Sequence, residues 1–404
     1  MEHIYRWFVR DDTFAEEVYV KYNFRKLRVL GIGKYASKSS LASRVGFYAM
    51  EIFFLLQIGT IVWDLATVLN DIGLFGDDMC ILAGLLLTVA KKWHCVLNIN
   101  ELTECIEQFQ AYHEHYLQRG ERFVRRMRRQ DLQERLLQDA SKLLAMVLAS
   151  CLTVNALFSN GETLILRATY PFTTNTTLGY GFVFLCQAIL VVYVLFSIVL
   201  IDCVGAQILS QMALLFFLQR MEFELIGADL QLPPDGTLHG DQMLRDELHN
   251  LIASHQQLLS FCDRLKRLYE PNIMAQFVSS MLIICLTAFE LMFAKGDPMQ
   301  MLRFGAYMLT AFYQIFVWSF FGNRVTHMAS VDSRRSTGIS DATIRCNWIV
   351  LDDRLKKDLR FTTMRSQKPF IIDVYWLFPL TYETFIAILS RSYSIFTLLR
   401  TMIE

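Results

Sequence analysis

Apolar residues along the chain gather into seven blocks, at 41–69, 73–92, 140–160, 178–202, 272–294, 300–321 and 371–400. Each is long enough for a helix to cross a hydrocarbon core of roughly 30 Å. Two short loops, one medium loop and three long polar segments separate them. The pattern predicts an all-α fold, a seven-transmembrane helical bundle. Ahead of the first block, Phe14, Val18, Tyr19 and Tyr22 recur at helical spacing in an otherwise polar stretch, which predicts a short amphipathic helix within residues 1–40. Residues 100–142 hold few helix breakers, and Leu244, Leu248, Leu251, Leu258 and Leu265 fall at near-helical spacing. These polar segments read as extensions of the spanning helices that pack into a second bundle beside the membrane. In two blocks the charges bear on the assignment. Asp77 and Asp78 read as the first turn of the second, where the helix dipole and the headgroups tolerate acids. The last keeps Asp373, Pro379, Glu383 and Arg391, groups that a lipid-facing helix does not retain, so it is expected to face protein or water.

Composition strengthens the membrane reading. Of the 404 residues 53% are hydrophobic and 13% aromatic, with a mean hydropathy of +0.31, too apolar for an ordinary soluble domain. Lys plus Arg equals Asp plus Glu at 39 each, so net charge gives no reason to expect a nucleic-acid partner. The distribution of the cations is informative instead. Thirty-three of the 39 fall in residues 1–40, 91–142, 212–270 and 322–370, and three fall on the opposite side of the predicted spans. Cytoplasmic segments hold the excess of Lys and Arg. The expected topology is therefore a cytoplasmic N-terminus, an extracellular C-terminus and a cytoplasmic anchor bundle. The one Asn-x-Ser/Thr acceptor, Asn175-Thr176-Thr177, lies in a loop this topology places outside, making Asn175 a candidate glycosylation site. The first residues, MEHIYRWFVRDD, lack the basic-then-apolar pattern of a cleaved signal peptide. The cluster RFVRRMRRQ, Arg122 to Gln130, is read either as a solvated helix face or as a contact for anionic lipid headgroups.

Signals for catalysis are weak. His113 and His115 in YHEHY point to different faces of a helix, a poor metal pair. Walker, HExxH and GxSxG motifs are missing, and the nine cysteines are scattered through apolar stretches without the spacing of a zinc site or disulfide framework. No catalytic residue, metal or cofactor is expected. Asp263-Arg264-Leu265 resembles the Asp-Arg-Tyr of G-protein-coupled receptors, but it precedes the fifth span and the orientation is opposite. A binding site is better supported. The outer halves of spans two to six contain Met79, Cys151, Asn155, Phe158, Phe182, Cys186, Phe289, Phe293, Phe304 and Tyr307. Aromatic and sulfur side chains with few polar groups suit a small apolar ligand held by area burial and dispersion. Helix core or lipid contact is the competing reading for each of these residues singly.

The C-terminal quarter carries a resemblance. LRFTTMRSQKPFII (Leu359 to Ile372), with Trp348 ahead of it, SRSYSIFTLLR (Ser390 to Arg400) after it and Gly322-Asn323 at the end of the sixth span, closely resembles the C-terminal signature of insect odorant receptors. The length, the seven spans and the cytoplasmic N-terminus also match. In the sister gustatory receptors Thr-Tyr is followed five residues later by Gln-Phe; here Thr381-Tyr382 leads at that place to Ile388-Leu389, which favours the odorant branch. The family's coreceptor is longer between spans four and five and ends differently, so the chain resembles a ligand-tuned subunit. The resemblance implies an odorant-gated, non-selective cation channel in the plasma membrane of sensory dendrites. It implies a tetramer shared with coreceptor subunits, a pore lined by the last helix of each subunit, and intersubunit anchoring by cytoplasmic helices. It places the hydrophobic gate on Leu398 and Met402, which share a helix face with Ser394 and Thr401. Arg400 departs from what a cation pore mouth favours. Four regions are expected: 1–40, an N-terminal segment; 41–321, spans one to six with the ligand pocket; 322–370, the anchor; and 371–404, the pore-lining helix. The rival readings are a gustatory-type channel, a transporter, for which inverted repeats are lacking, and a metabotropic receptor.

Overall fold

The computed structural model describes residues 17–32, 41–69, 71–158, 164–174, 176–226, 241–294, 296–329, 342–343, 345–346, 348, 353–366 and 370–401. It is an all-α bundle. A short amphipathic helix α1 (Tyr19–Lys26) leads through a 3₁₀ turn to Gly31, whose φ of 78° ends it. Phe14, assigned to this helix on spacing, lies outside the described residues. Then follow α2 (Leu41–Thr67), α3 (Ile72–Leu97), α4 (Ile99–Gln118), α5 (Glu121–Phe158), α6 (Thr177–Leu225), α7 (Asp241–Phe293), α8 (Pro298–Ala329), α9 (Asp353–Ser366) and α10 (Tyr382–Thr401). Among the described residues, six of these helices, α2, α3 and α5 to α8, are long and apolar enough to cross a bilayer.

Local chemistry sets the helix starts. Asp71 caps α3 by accepting the Leu74 N–H at 3.1 Å, and Thr176 caps α6 through Gly179 N–H at 3.1 Å. Asp297 accepts from Met299 and Gln300 N–H, with Pro298 at the first helical position of α8. Because α3 begins at Ile72, Asp77 and Asp78 lie beyond its first turn rather than in it, and Asp77 is neutralised by Arg303 from α8 instead of by headgroups.

The spanning helices run on without a break into the second bundle. Helix α6 has 49 residues and α7 has 53, roughly 75 and 80 Å at 1.5 Å per residue, against about 30 Å of hydrocarbon. Helix α7 continues through Pro271. On α6, Leu178, Phe182, Leu185, Ile189, Val192 and Phe196 form an exposed apolar stripe, the mark of a lipid-facing side. From Cys203 to Phe223 the same helix is buried nearly all round by α1, α4, α5, α7 and α8. At that end Tyr116 of α4 donates to Glu222 at 3.1 Å and Arg119 meets the same carboxylate at 3.0 Å. Burial and that carboxylate hold the Tyr116 phenol well above its usual range.

The last block departs from expectation. Residues 371–381 are not helical: Asp373–Val374 pairs antiparallel with Phe378–Pro379 as β1 and β2, and the helix starts only at Tyr382. Pro379 has no N–H to give a helix and disfavours αR at the residue before it. The turn places Tyr375 and Trp376 at φ 47° and 61°, and Asp373 forms an ion pair with Lys266 of α7. Ile372, Val374 and Leu380 are buried in the main core. The hairpin is seated on α8 at Gly322, where a Cβ would lie 2.2 Å from Leu380 Cγ.

That contact gives a stability test. Gly322→Val forces a clash against the hairpin and is expected to destabilise by about 1–3 kcal/mol. Gly181→Val, where a Cβ meets nothing within 4 Å, is expected to leave the melting temperature of the detergent-solubilised protein unchanged.

Candidate ligand-binding site

Helices α3, α5, α6 and α8 do not close fully on one another, and between them, with Ile283 of α7, lies a cavity of about 140 Å³. At one end, near the α5–α6 loop, it is walled by Ile81, Leu152, Leu190 and Val191, and the loop itself contributes Leu166. Gln187 clamps that residue: its Oε1 accepts the Leu166 N–H at 2.9 Å and its Nε2 donates to the Leu166 carbonyl at 2.7 Å. Tyr170 donates to Gln57 at 2.9 Å and Arg167 pairs with Asp64 at 2.9 Å, tying the same loop to α2. The Leu166 backbone is thus satisfied where it enters an apolar region.

The middle of the cavity is apolar, with Leu148, Val194 and Ala311 beside Gly84. Thr88 and Thr310 also face it, but their hydroxyls donate to the carbonyls of Gly84 and Ala306 in their own helices. The other end, towards the second bundle, is polar. Lys91 of α3 is fully buried; its Nζ donates to Asp202 of α6 and to Gln276 of α7. Gln276 donates to Gln314 of α8 at 3.2 Å, and Gln314 returns to Asp202 at 3.4 Å. One residue from each of four helices therefore closes a ring, with Lys91 5.5 Å from the centre of the Trp318 ring. One residue on, about 100° round α3, Lys92 is held by Glu51 of α2 and Tyr193 of α6.

Of the ten residues expected to form the pocket, Tyr307 lines this cavity. Met79 and Cys151 are half-buried, and their neighbours Cys80 and Leu152 occupy the wall instead. Phe182 is 61% exposed on the lipid-facing stripe of α6, and Cys186 is half-buried one turn on. Phe289 is buried against Phe293, centroids 4.9 Å apart, and Phe293 is 53% exposed. Phe304 is buried beneath the Arg303 guanidinium at 5.2 Å. The side chains of Asn155 and Phe158, and Asn175, lie outside the described residues. Depth and side-chain type select these positions, and each residue step turns a helix by about 100°, so neighbouring positions at the same depth face different surroundings. Thr88, Ser141, Asp202 and Gln314, polar residues inside apolar helices, were the signal passed over.

Helix α10 buries Thr384, Ile388 and Ser392 against the bundle, with Phe385 6.1 Å from Phe316 of α8. Its other side is open: Ser394, Leu398, 61% exposed, and Thr401 share it. The hydroxyls of Ser394 and Thr401 donate to Ser390 and Leu398 carbonyls, and the exposed Arg391, one turn before Ser394, lies on the same face. Met402 lies outside the described residues. The nine cysteines are free thiols.

The family described as 7tm Odorant receptor matches residues 71–393. The chain belongs to that family. Among curated relatives, Odorant receptor 47b of Drosophila melanogaster is 23% identical over 383 residues, covering 89% of this chain and 86% of the relative. Putative odorant receptor 65c of the same fly is also 23% identical, over 352 residues, covering 85% and 82%. The insect olfactory receptor OR5 from Machilis hrabei in complex with eugenol shares the fold, with a TM-score of 0.76 across 95% of this chain and 98% of that one, at 14% identity. The relatives are receptors, and the chain is a multi-span membrane receptor rather than an enzyme.

The buried ring gives this site its own test. Removing one partner of a buried ion pair costs about 3–5 kcal/mol, while replacing both by apolar groups is often neutral. Lys91→Met is therefore expected to lower the melting temperature sharply, and Lys91→Met with Asp202→Leu to recover most of it.

Proposed function

We propose that the chain is the ligand-tuned subunit of an odorant-gated, non-selective cation channel. The observation that carries this reading is a largely apolar cavity between the helices whose wall includes α8, the helix that also packs against α10. Tyr307, Gln314 and Trp318 of α8 line the cavity, while Phe316 and Gly322 of the same helix meet Phe385 and Leu380. A small volatile organic ligand opens the channel to the extent that it binds the open arrangement more tightly. A shift of α8 against the ligand is handed to α10 through those contacts.

In this reading α10 lines a central pore in a tetramer completed by odorant-receptor coreceptor subunits. Leu398 and Met402 form a gate that closes by excluding water, with Ser394 and Thr401 on the same face. The open side of α10, the OR5 fold and the family support this. The N-terminus is cytoplasmic and the C-terminus extracellular, as the 33-to-3 partition of Lys and Arg favours. The receptor resides in the plasma membrane of sensory dendrites, and Asn175 in the outward loop is its glycosylation site. Phe289, Phe293 and Phe304, off the cavity, act as packing between α7, α8 and the bilayer.

Co-expression with a coreceptor and current recording under a panel of volatiles tests the proposal. Odour-evoked cation current is expected; a surface-expressed protein that no volatile activates would defeat it. Tyr307→Ala is expected to raise the half-maximal concentration about tenfold or more, equivalent to about 1.4 kcal/mol. Leu398→Ala is expected to increase current in the absence of ligand, and unchanged basal current would remove Leu398 from the gate.

A further inference from the structure

On α5, Arg122, Arg126, Arg129 and Gln133 follow one another at steps of four and three residues, so they share one line along the helix. The same spacing carries the line on to Leu136, Leu143 and Val147, which are 63%, 59% and 45% exposed. Large apolar side chains left open on a helix long and apolar enough to cross a bilayer mark a lipid-facing side. A single face of α5 therefore meets acyl chains at one end and carries arginines at the other. Arg129 stands seven residues ahead of Leu136, about 10 Å along the axis, which is headgroup depth when Leu136 sits at the hydrocarbon edge.

Little neutralises the cations on this line. Arg122 reaches Glu224 only at 3.9 Å, and that carboxylate is already paired with Arg220 at 2.9 Å. Arg126 lies over the Phe217 ring of α6, 4.1 Å from its centre. A further guanidinium arrives from α8: Arg324 donates to Gln130 and, at 3.2 Å, to Gln133. Gln130 and Gln133 lie four residues past Arg126 and Arg129, so Arg324 stands about one helical turn from both. The charges of Arg129 and Arg324 both bear on Arg126. Glu134 offsets Arg324 in part, yet it is buried and accepts from Gln207 and Gln211. Among the described residues, none of Arg126, Arg129 and Arg324 forms an ion pair, and all three keep some exposed surface.

We propose that this face binds an inner-leaflet phosphoinositide, with its acyl chains along Leu136, Leu143 and Val147 and its phosphates among Arg126, Arg129 and Arg324. A phosphate monoester carries about 1.5 to 2 negative charges, and guanidinium groups take phosphate oxygens in pairs. Two such groups on one inositol ring match three clustered cations, whereas a serine headgroup leaves most of that charge unmet. The apolar continuation of the line selects a lipid over a free inositol phosphate. The proposal rests on the cytoplasmic placement of residues 91–142 given above. It also gives the lipid a place in the receptor, because Arg324 lies two residues beyond Gly322, where α8 receives the hairpin ahead of α10.

The test uses the full chain purified with its coreceptor and measures binding of dioctanoyl phosphatidylinositol bisphosphate, dioctanoyl phosphatidylserine and free inositol trisphosphate. The bisphosphate lipid is expected to bind saturably and at least tenfold more tightly than either of the others. Arg129→Gln, at an exposed position, is expected to weaken it about tenfold. Arg128→Gln removes the same charge one residue away, about 100° round the helix, and is expected to change binding less than twofold. Equal losses in the two variants, no loss in Arg129→Gln, or phosphatidylserine binding as tightly overturns the proposal. Inositol trisphosphate binding as tightly as the lipid overturns it in favour of a soluble polyphosphate. The measurement needs no odorant, so any of these results leaves the channel reading standing. Labelling of an N-terminal tag on intact cells removes both the topology and this site.

Discussion

The structure depends on how it accommodates one lysine. Lys91 is buried with no exposed surface, and an isolated ammonium in that setting is strongly unfavourable. Its charge becomes tolerable only when Asp202, Gln276 and Gln314 arrive from three other helices. The ring they close therefore fixes how far along one another α3, α6, α7 and α8 lie. It does so beside the cavity, whose wall continues past Asp202 to Gln207 on α6 and past Gln314 to Phe321 on α8, so the ring holds the helices in register where the apolar gap gives way to the second bundle. An apolar layer in its place would bind the helices as strongly but would specify their sliding position less.

The two halves of α6 show the consequence. On one side of Asp202 the helix buries part of its circumference and shows lipid a stripe from Leu178 to Phe196; on the other it is enclosed almost completely. Helix α8 has a similar division of labour. Tyr307 and Gln314 meet the cavity, Trp318 sits against Gly205, where a Cβ would lie 2.5 Å away, and Gly322 receives Leu380. Close approaches at both glycines leave little slack, and in the proposed gating a displacement at the cavity passes along α8 to α10 as movement of a stiff rod. The account of gating rests on that stiffness.

Much of this was legible in the sequence. Apolar block length located every long spanning helix, and the leucine spacing after Leu244 foretold that α7 extends beyond the membrane. The family was readable from Leu359 to Ile372 and Ser390 to Arg400. Two things were not. Hydropathy does not distinguish an apolar hairpin from an apolar helix, so Phe370 to Leu380 was merged with α10, although Pro379 and the charge of Asp373 marked the break. And depth in the membrane does not give rotation about a helix axis. Outer aromatics such as Phe182 and Phe293 are exposed, whereas the cavity is walled mainly by aliphatic residues, with Thr88, Asp202 and Gln314 as its polar members. Long-range partners, Asp77 with Arg303 or Lys266 with Asp373, have no local signature at all.

The most direct test of the account is a structure of the full chain with its coreceptor, determined with and without an activating volatile. The account predicts ligand density between Gly84, Leu148, Val194 and Thr310, together with outward movement of α10 at Leu398. Density among Phe289 and Phe293 instead, with the cavity unchanged and α10 displaced all the same, would contradict it.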